Sequence, residues 1–331
     1  MPKSYLESLQ LNLHEVFEIS DRALMLGEDI IDPYGGAFKV SKGLSTKYPT
    51  RVFNTPISEA SITGMGTGLA MQGFLPIVEI MFGDFLTLCA DQIINHISKF
   101  SEMYPGVEVP IVIRTPMGAG RGYGATHSQS LEKLFLGIPG LNILSPSIFH
   151  DPGIILKETI LNDKKPCIFI EQKCLYSKEI VNSKNSNLII KKSINSSAEY
   201  PTLIVQNHST KADVVIIAYG GTSLHIKNIM EKFIDEEILI TAVFPSLINN
   251  DMTVDILEIL DLSHKFLVIE DGTEGFNWSS EIAFQLYDNS KQKISVNRLS
   301  SKAEVIPANK LLEDEVIVTE LKIEDSILEM L

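Results

Sequence analysis

Short apolar runs rich in β-branched residues alternate along the chain with longer stretches of helical periodicity, the pattern of a parallel α/β sheet. In the first half, Leu75–Ile80, Pro110–Arg114, Leu141–Leu144 and Cys167–Glu171 read as strands. Several are nearly continuous in apolar character, as expected for strands buried on both faces. Helices are predicted over Ser58–Gln72, Phe85–Tyr104 and His150–Asn162, and another over His14–Leu24 leads into a strand near Leu24–Gly27. From about Ser177 to Lys211 the pattern dissolves into polar, punctuated sequence that suits a linker or an irregular surface crossing. Order returns with strand Asp213–Tyr219, helix Ser223–Phe233, strand Ile238–Phe244, helix Val254–Leu262, strand Phe266–Ile269, helix Ser280–Tyr287 and a strand near Ile294–Leu299. The chain ends on an amphipathic Ile323–Leu331. The expectation is two α/β parallel-sheet domains, over residues 1–185 and 212–331, joined by a crossing segment at 186–211.

Composition narrows the function classes. A chain of 331 residues, 44% hydrophobic and 21% charged, has room for a large core and excludes collagen, disorder and a disulfide scaffold. Its 28 basic and 42 acidic residues leave a formal charge of −14, which repels phosphate backbones and anionic bilayers. Neither nucleic acid nor a membrane is an expected partner. Apolar runs such as Val214–Tyr219 fall far short of the roughly 20 residues that span a bilayer. No apolar signal-peptide core is read at the start. Three cysteines without a C-x-x-C pair (Cys89, Cys167, Cys174) read as small buried hydrophobes in a reducing compartment, and the expected location is the cytoplasm.

Three segments could carry chemistry. Glu59 is the only charged residue between Arg51 and Glu79, on a predicted helix that also holds Gly64, Gly66 and Gly68. Each such glycine costs up to about 1 kcal/mol of helix propensity, which makes sense where something packs closely on the backbone. The carboxyl group is either a desolvated functional acid or an N-terminal helix glutamate favoured by the dipole. A second segment runs from Arg114 to Ser130 and leaves a strand's carboxyl edge, where α/β folds place ligands. Its glycines at 118, 120, 122 and 124 allow a backbone to approach a ligand, and Arg121, Tyr123 and His127 supply polar chemistry. The pattern is neither a dinucleotide fingerprint nor a P-loop. The third, Met81–Gln92, offers Phe82 and Phe85 as core or as a stacking face, with Asp84 as a helix cap. Glu270-Asp-Gly-Thr-Glu-Gly275 follows a strand without the spacing of a metal loop.

The order and spacing of these segments carry more than any one of them. Thr55-Pro-Ile-Ser-Glu-Ala60, Glu79-Ile-Met-Phe-Gly-Asp-Phe85, Asp91-Gln-Ile-Ile-Asn95, Pro110-Ile-Val-Ile-Arg114, His127-Ser-Gln-Ser130, Ile138-Pro-Gly-Leu141, Arg298 and Ile306-Pro307 occur together. The set resembles the β subunits of thiamine-diphosphate-dependent E1 components of 2-oxo acid dehydrogenases, in the transketolase superfamily, including acetoin dehydrogenase β subunits. The resemblance implies a pyrimidine-binding domain followed by a transketolase C-terminal domain. It gives Glu59 the role of hydrogen-bonding N1′ of the aminopyrimidine and Phe85 that of stacking on it, with Ile57 and Met81 lining the same cleft. His127 matches an active-site histidine positioned to stabilise the intermediate or to assist acyl transfer.

The resemblance also implies what this chain lacks. The superfamily holds Mg²⁺ and the diphosphate through a Gly-Asp-Gly motif with following asparagines, and no such segment is found. An α subunit is therefore expected to carry the rest of the site, in an α₂β₂ assembly, with a lipoyl-bearing E2 as a further partner. Some β subunits hold K⁺ through backbone oxygens at positions matching Ile111, Thr159 and Ile160. Arg121 and Tyr123 stand near the expected substrate entrance, where arginine suits an anionic acceptor or pairs with the α subunit. Those residues, with the altered segments Ala242–Asn250 and Asp271–Trp278, motivate a rival reading as a non-oxidative carboligase using an aldehyde or ketone acceptor.

Overall fold

Ser4 and Glu7 form a reciprocal capping box, and it starts the first helix, α1 (Tyr5–Ile19), well ahead of the predicted His14. The computed structural model describes residues 4–193, 199–249 and 253–331, so the readings that touch Met1–Lys3, the polar run Asn195–Ala198 and Asn250 lie outside the described residues. Contacts divide the chain into two units. The first comprises Met1–Met117, Leu134–Leu144 and Asp151–Glu179; the second comprises Gly118–Lys133, Ser145–His150 and Ile180–Leu331.

After α1 the first unit runs β1 (Ala23–Gly27), α2 (Leu44–Lys47), β2 (Val52–Asn54), α3 (Glu59–Met71) and β3 (Leu75–Glu79). A 3₁₀ turn (Gly83–Cys89), a π turn (Gln92–Ile97) and α4 (Phe100–Met103) then stand where one helix is predicted over Phe85–Tyr104. Gly140 packs onto the end of that stretch so tightly that a Cβ there would lie 2.3 Å from the Ser98 carbonyl oxygen. β4 (Val112–Met117), β5 (Asn142–Leu144), α5 (Pro152–Asn162) and β6 (Cys167–Gln172) complete a sheet of order β2-β1-β3-β4-β6-β5. Every pair in it is parallel. Every residue of β3, β4 and β6 is buried, as two-sided coverage requires. α1 packs on α5 at Gly153, where a Cβ would come within 2.1 Å of the Ser8 carbonyl oxygen.

The second unit is built from β7 (Ile189–Lys192), β8 (Thr202–Gln206), β9 (Val214–Ala218), α6 (Thr222–Asp235), β10 (Ile240–Pro245), α7 (Thr253–Leu260), β11 (Lys265–Thr273), α8 (Trp278–Asn289) and β12 (Ser295–Ser301), then α9 (Lys310–Val316) and α10 (Glu320–Leu328). Its order is β12-β11-β9-β10-β8-β7. The four strands from β12 to β10 pair in parallel. β8 and β7 add on antiparallel, so this sheet is mixed rather than wholly parallel. These two strands also correct the reading of 186–211 as irregular. β7 is an edge strand with Ile189, Lys191 and Lys192 exposed, and its charge is that of a protected edge rather than of a loop.

Candidate active site

The carboxyl ends of β1, β2 and β3, neighbours in the first sheet, deliver a group of side chains to one edge, where open α/β sheets place ligands. Glu28 follows β1, Ile57 and Glu59 follow β2, and Met81 and Phe85 follow β3. Asn54 ties the turns together by accepting the Ile30 and Ile31 amides, at 2.8 and 3.1 Å. Glu59 is the first residue of α3 and is 7% exposed, while Ile57 beside it is 84% exposed. Met81 and Phe85 are half-buried. Phe85 meets Phe82 edge-to-face at 5.9 Å, Phe82 meets Phe38 at 5.8 Å, and Phe38 stacks on Tyr176 at 5.2 Å.

Glu28 was missed from the sequence. Its carboxyl group is raised above its ordinary range by burial first and by the nearby Glu59 charge second, while the Ser58 backbone opposes the shift. Its Oε1 is buried without a hydrogen-bond partner among the described residues. The available signal was position alone: a carboxylate directly after an apolar strand, at the edge where ligands bind.

Behind this edge lies a buried ionic knot. Arg114, on β4, donates from Nη1 to Glu79 Oε2 at 2.7 Å and from Nε and Nη2 to the two oxygens of Glu171, at 2.7 and 2.8 Å. Tyr176 donates to Glu171 Oε2 at 2.7 Å. The knot joins β3, β4 and β6, and Tyr176, which stacks on Phe38, links it to the aromatic group.

The glycines of α3 serve the fold. A Cβ on Gly66 would lie 2.8 Å from Val78 and 2.9 Å from Ile111, so the close partner is the helix's own sheet. Gly64 faces Gln92 at 3.1 Å, and Gly68 has nothing within 4 Å. In the second segment Gly118, Gly120, Gly122 and Gly124 all have φ between 67° and 95°, a conformation that L side chains resist. Gly122 and Gly124 pack on Ala308, with the nearest approaches at 3.0 and 3.4 Å. The alternation of glycines therefore answers to backbone conformation and packing.

Arg121, Tyr123 and His127 belong to the second unit. Arg121 and Tyr123 are exposed and His127 is half-buried, with its Nδ1 3.0 Å from the Thr126 hydroxyl. Nearby, a cavity of about 460 Å³ is lined by Gln129, Ser130, Asp271, Thr273, Ser301 and Glu304, among others. Burial, with Glu132 and Glu270 close by, pushes Asp271 up to about 7. Glu132, also driven up to about 7 by burial, accepts a 2.5 Å hydrogen bond from Tyr219.

The positions matched to K⁺ ligands, Ile111, Thr159 and Ile160, are all buried in the first unit. The Ile111 carbonyl accepts the Cys167 amide at 2.9 Å and the Thr159 carbonyl accepts the Asp163 amide at 3.3 Å, which leaves each oxygen a second lone pair. Among the described residues no group of three or more His, Cys, Asp or Glu side chains could hold a metal ion. Cys89 and Cys167 are buried free thiols and Cys174 is half-buried. No helix of the described residues is long and apolar enough to cross a membrane.

Residues 2–178 match the family described as "Transketolase, pyrimidine binding domain". The whole chain superposes on a split gene transketolase, solved as an inactive beta4 tetramer, with a TM-score of 0.74, 17% identity, and 99% and 98% of the two chains covered. The class is thus a two-unit α/β chain whose residues 2–178 form a transketolase-type pyrimidine-binding domain. The pyruvate dehydrogenase E1 component subunit beta of Cyanidium caldarium is 33% identical over 336 residues, spanning 98% of this chain and 97% of that one. The acetoin:2,6-dichlorophenolindophenol oxidoreductase subunit beta of Cupriavidus necator is 43% identical over 166 residues, 47% of this chain and 49% of that protein. The chain belongs to the family of these E1 component β subunits.

Proposed function

We propose that the chain is the β subunit of a heteromeric thiamine-diphosphate enzyme that decarboxylates a pyruvate-like 2-oxo acid and passes the acyl group to a lipoyl domain. The observation that carries this reading is the buried Glu59 at the head of α3, with Phe85 at the same sheet edge and the exposed Ile57 beside it. An orphaned buried carboxylate oxygen on Glu28 adds to the fit of this edge with a nitrogen-rich aminopyrimidine.

Bound thiamine diphosphate supplies an acidic carbon and an electron sink for loss of CO₂. The chain's own residues do the rest. Glu59 shares a proton at the N1′ position of the pyrimidine, in a setting where water is largely excluded. Phe85 holds the ring face, and Ile57 and Met81 close the cleft. Glu28 adds a second carboxyl to the same edge and raises the cost of carrying two negative charges there. His127 exchanges a proton during acyl transfer, and Arg121 and Tyr123 meet an anionic or hydroxyl-bearing substrate.

The diphosphate and Mg²⁺ fall to an α subunit, because this chain has no Gly-Asp-Gly segment. The assembly is α₂β₂, with an E2 lipoyl domain as the acyl acceptor, in the reducing cytoplasm that three free thiols suit. Residues 1–185 act as the pyrimidine-binding domain and 212–331 as the C-terminal domain.

The test is to purify the complex through this chain and assay 2-oxo acid turnover with Glu59→Gln. The variant is expected to keep its mass and stoichiometry while losing about 10²- to 10⁴-fold in kcat. Undiminished turnover would falsify the role of Glu59. Recovery of an α-type chain without any lipoyl partner would move the acceptor to an aldehyde or ketone.

A further inference from the structure

We infer that Glu313 is a positioning residue that fixes the backbone carrying Arg121, Tyr123 and His127, and thereby sets how the enzyme holds its substrate or acyl acceptor. The inference rests on the reading of that loop as the substrate side of the site. Glu313 lies on α9 and its side chain is 0% exposed. Its Oε1 accepts the Gly120 amide at 2.9 Å, across 193 residues of sequence. Asn309 caps α9 by accepting the Leu311 and Leu312 amides, so the Glu313 carboxylate is left to serve the loop. Lys310, exposed and paired with Asp314, lies 3.7 Å from Glu313 Oε2.

The same short stretch of chain grips the loop again. A Cβ on Gly122 would sit 3.0 Å from the Ala308 carbonyl oxygen, and Gly124 lies against the Ala308 methyl group. At the far end, the 2.5 Å bond from Tyr219 to the buried Glu132 ties the loop down once more. Residues 118–132 are thus held at both ends by buried carboxyl groups, Glu313 accepting from the loop's Gly120 amide and the loop's own Glu132 accepting from Tyr219. Between these ties the loop presents Arg121 and Tyr123 to solvent. A neutral acceptor would be cheaper to bury than a carboxylate, but the charge-assisted bond that the carboxylate makes is the stronger one.

Glu313 acts through Gly120 rather than on a reacting atom. The test uses Glu313→Ala, Glu313→Gln and Gly122→Ala in the intact complex. Two quantities are read: KM and kcat for the 2-oxo acid and the acyl acceptor, and the rate of tryptic cleavage at Arg121–Gly122 followed by mass spectrometry. Glu313→Ala is expected to raise KM for one of the two substrates by about tenfold to a hundredfold with a smaller change in kcat, and to speed cleavage at Arg121. Glu313→Gln keeps an acceptor oxygen and should recover most of both losses. Gly122→Ala leaves the carboxylate in place but forces the loop off Ala308, and should copy Glu313→Ala.

Wild-type KM and cleavage rate in Glu313→Ala would overturn the inference. So would equal impairment in Ala and Gln variants with cleavage at Arg121 unchanged, since that is the mark of a residue that only stabilises the fold. If Glu313→Ala does not fold, Gly122→Ala decides, and an unaltered cleavage rate there overturns the inference. A wild-type complex without 2-oxo acid turnover would sink the functional reading instead, while the cleavage rates still judge the positioning of the loop.

Discussion

Arg114 is among the largest fully buried side chains, and both carboxylates that neutralise it are buried as well. Replacing it with alanine leaves Glu79 and Glu171 facing each other without a counter-charge. A loss of about 3–5 kcal/mol is expected, read as a lower urea midpoint for Arg114→Ala. A loss under about 1 kcal/mol would mean that the knot is not a structural keystone. Arg114→Lys should recover only part, because one ammonium cannot reproduce the fork that reaches both partners. At this scale the sequence is readable where a residue breaks its local pattern. Glu59 stands alone among glycines and apolar residues, and the structure buries it at a helix start on the ligand edge. Glu28 sits beside Asp29 and looks like an ordinary polar turn; only the fold brings it near Glu59. The partners of Arg114 lie 35 and 57 residues away, and no linear pattern pairs them.

Helix α3 shows what elements add to residues. Its three glycines look alike in sequence, yet the sheet beneath distinguishes them. Gly66→Ala should destabilise by about 1–3 kcal/mol, because the new methyl group overlaps Val78 and Ile111 by more than alanine's helix propensity offsets. Gly68→Ala meets open space and should stabilise by about 0.5–1 kcal/mol. Thermal melts of the two variants shifting in the same direction would contradict this packing argument. Most elements were legible because a buried parallel strand is a short apolar run and a covering helix repeats every three to four residues. The stretch from Phe85 to Tyr104 kept helical periodicity, so its division into 3₁₀, π and α turns left no trace in the pattern. β7 was hidden for the opposite reason: an exposed edge strand is polar and charged, and reads as a loop.

Across the molecule the surplus of acid is not confined to the surface. Glu132 and Glu270 are buried in the second unit, and Asp271 stands beside them at the cavity wall. None of this was legible, since Glu132 opens a short 3₁₀ turn (Glu132–Leu134) and the other two lie near the end of β11, far along the chain. The arrangement has a consequence for stability against pH. The Glu132 carboxyl ionises near 4.5 in the unfolded chain and at about 7 in the folded one, so the folded state holds the proton longer. Its stabilising contribution is complete below about 4.5 and fades as pH rises through about 7. Asp271 acts in the same direction, from 3.8 up to about 7. His150 acts in the other: burial holds the ring neutral down to about 4, against the contact of its Nε2 with the Pro201 carbonyl, while its Nδ1 accepts the Ser147 amide. Below 6.5 the unfolded chain takes up a proton that the buried ring refuses, so His150 costs stability as pH falls toward 4. Glu132→Gln separates these effects, because glutamine still accepts the Tyr219 hydroxyl but cannot ionise. Relative to the wild type, the variant should gain stability steadily between pH 4.5 and 7 and level off above. The gap between 4.5 and about 7, at about 1.4 kcal/mol for each pH unit, sets the gain at no more than about 3.5 kcal/mol. Urea midpoints at pH 5, 6, 7 and 8 measure it directly, and parallel curves for variant and wild type would show that the folded state gives up the Glu132 proton no later than the unfolded one.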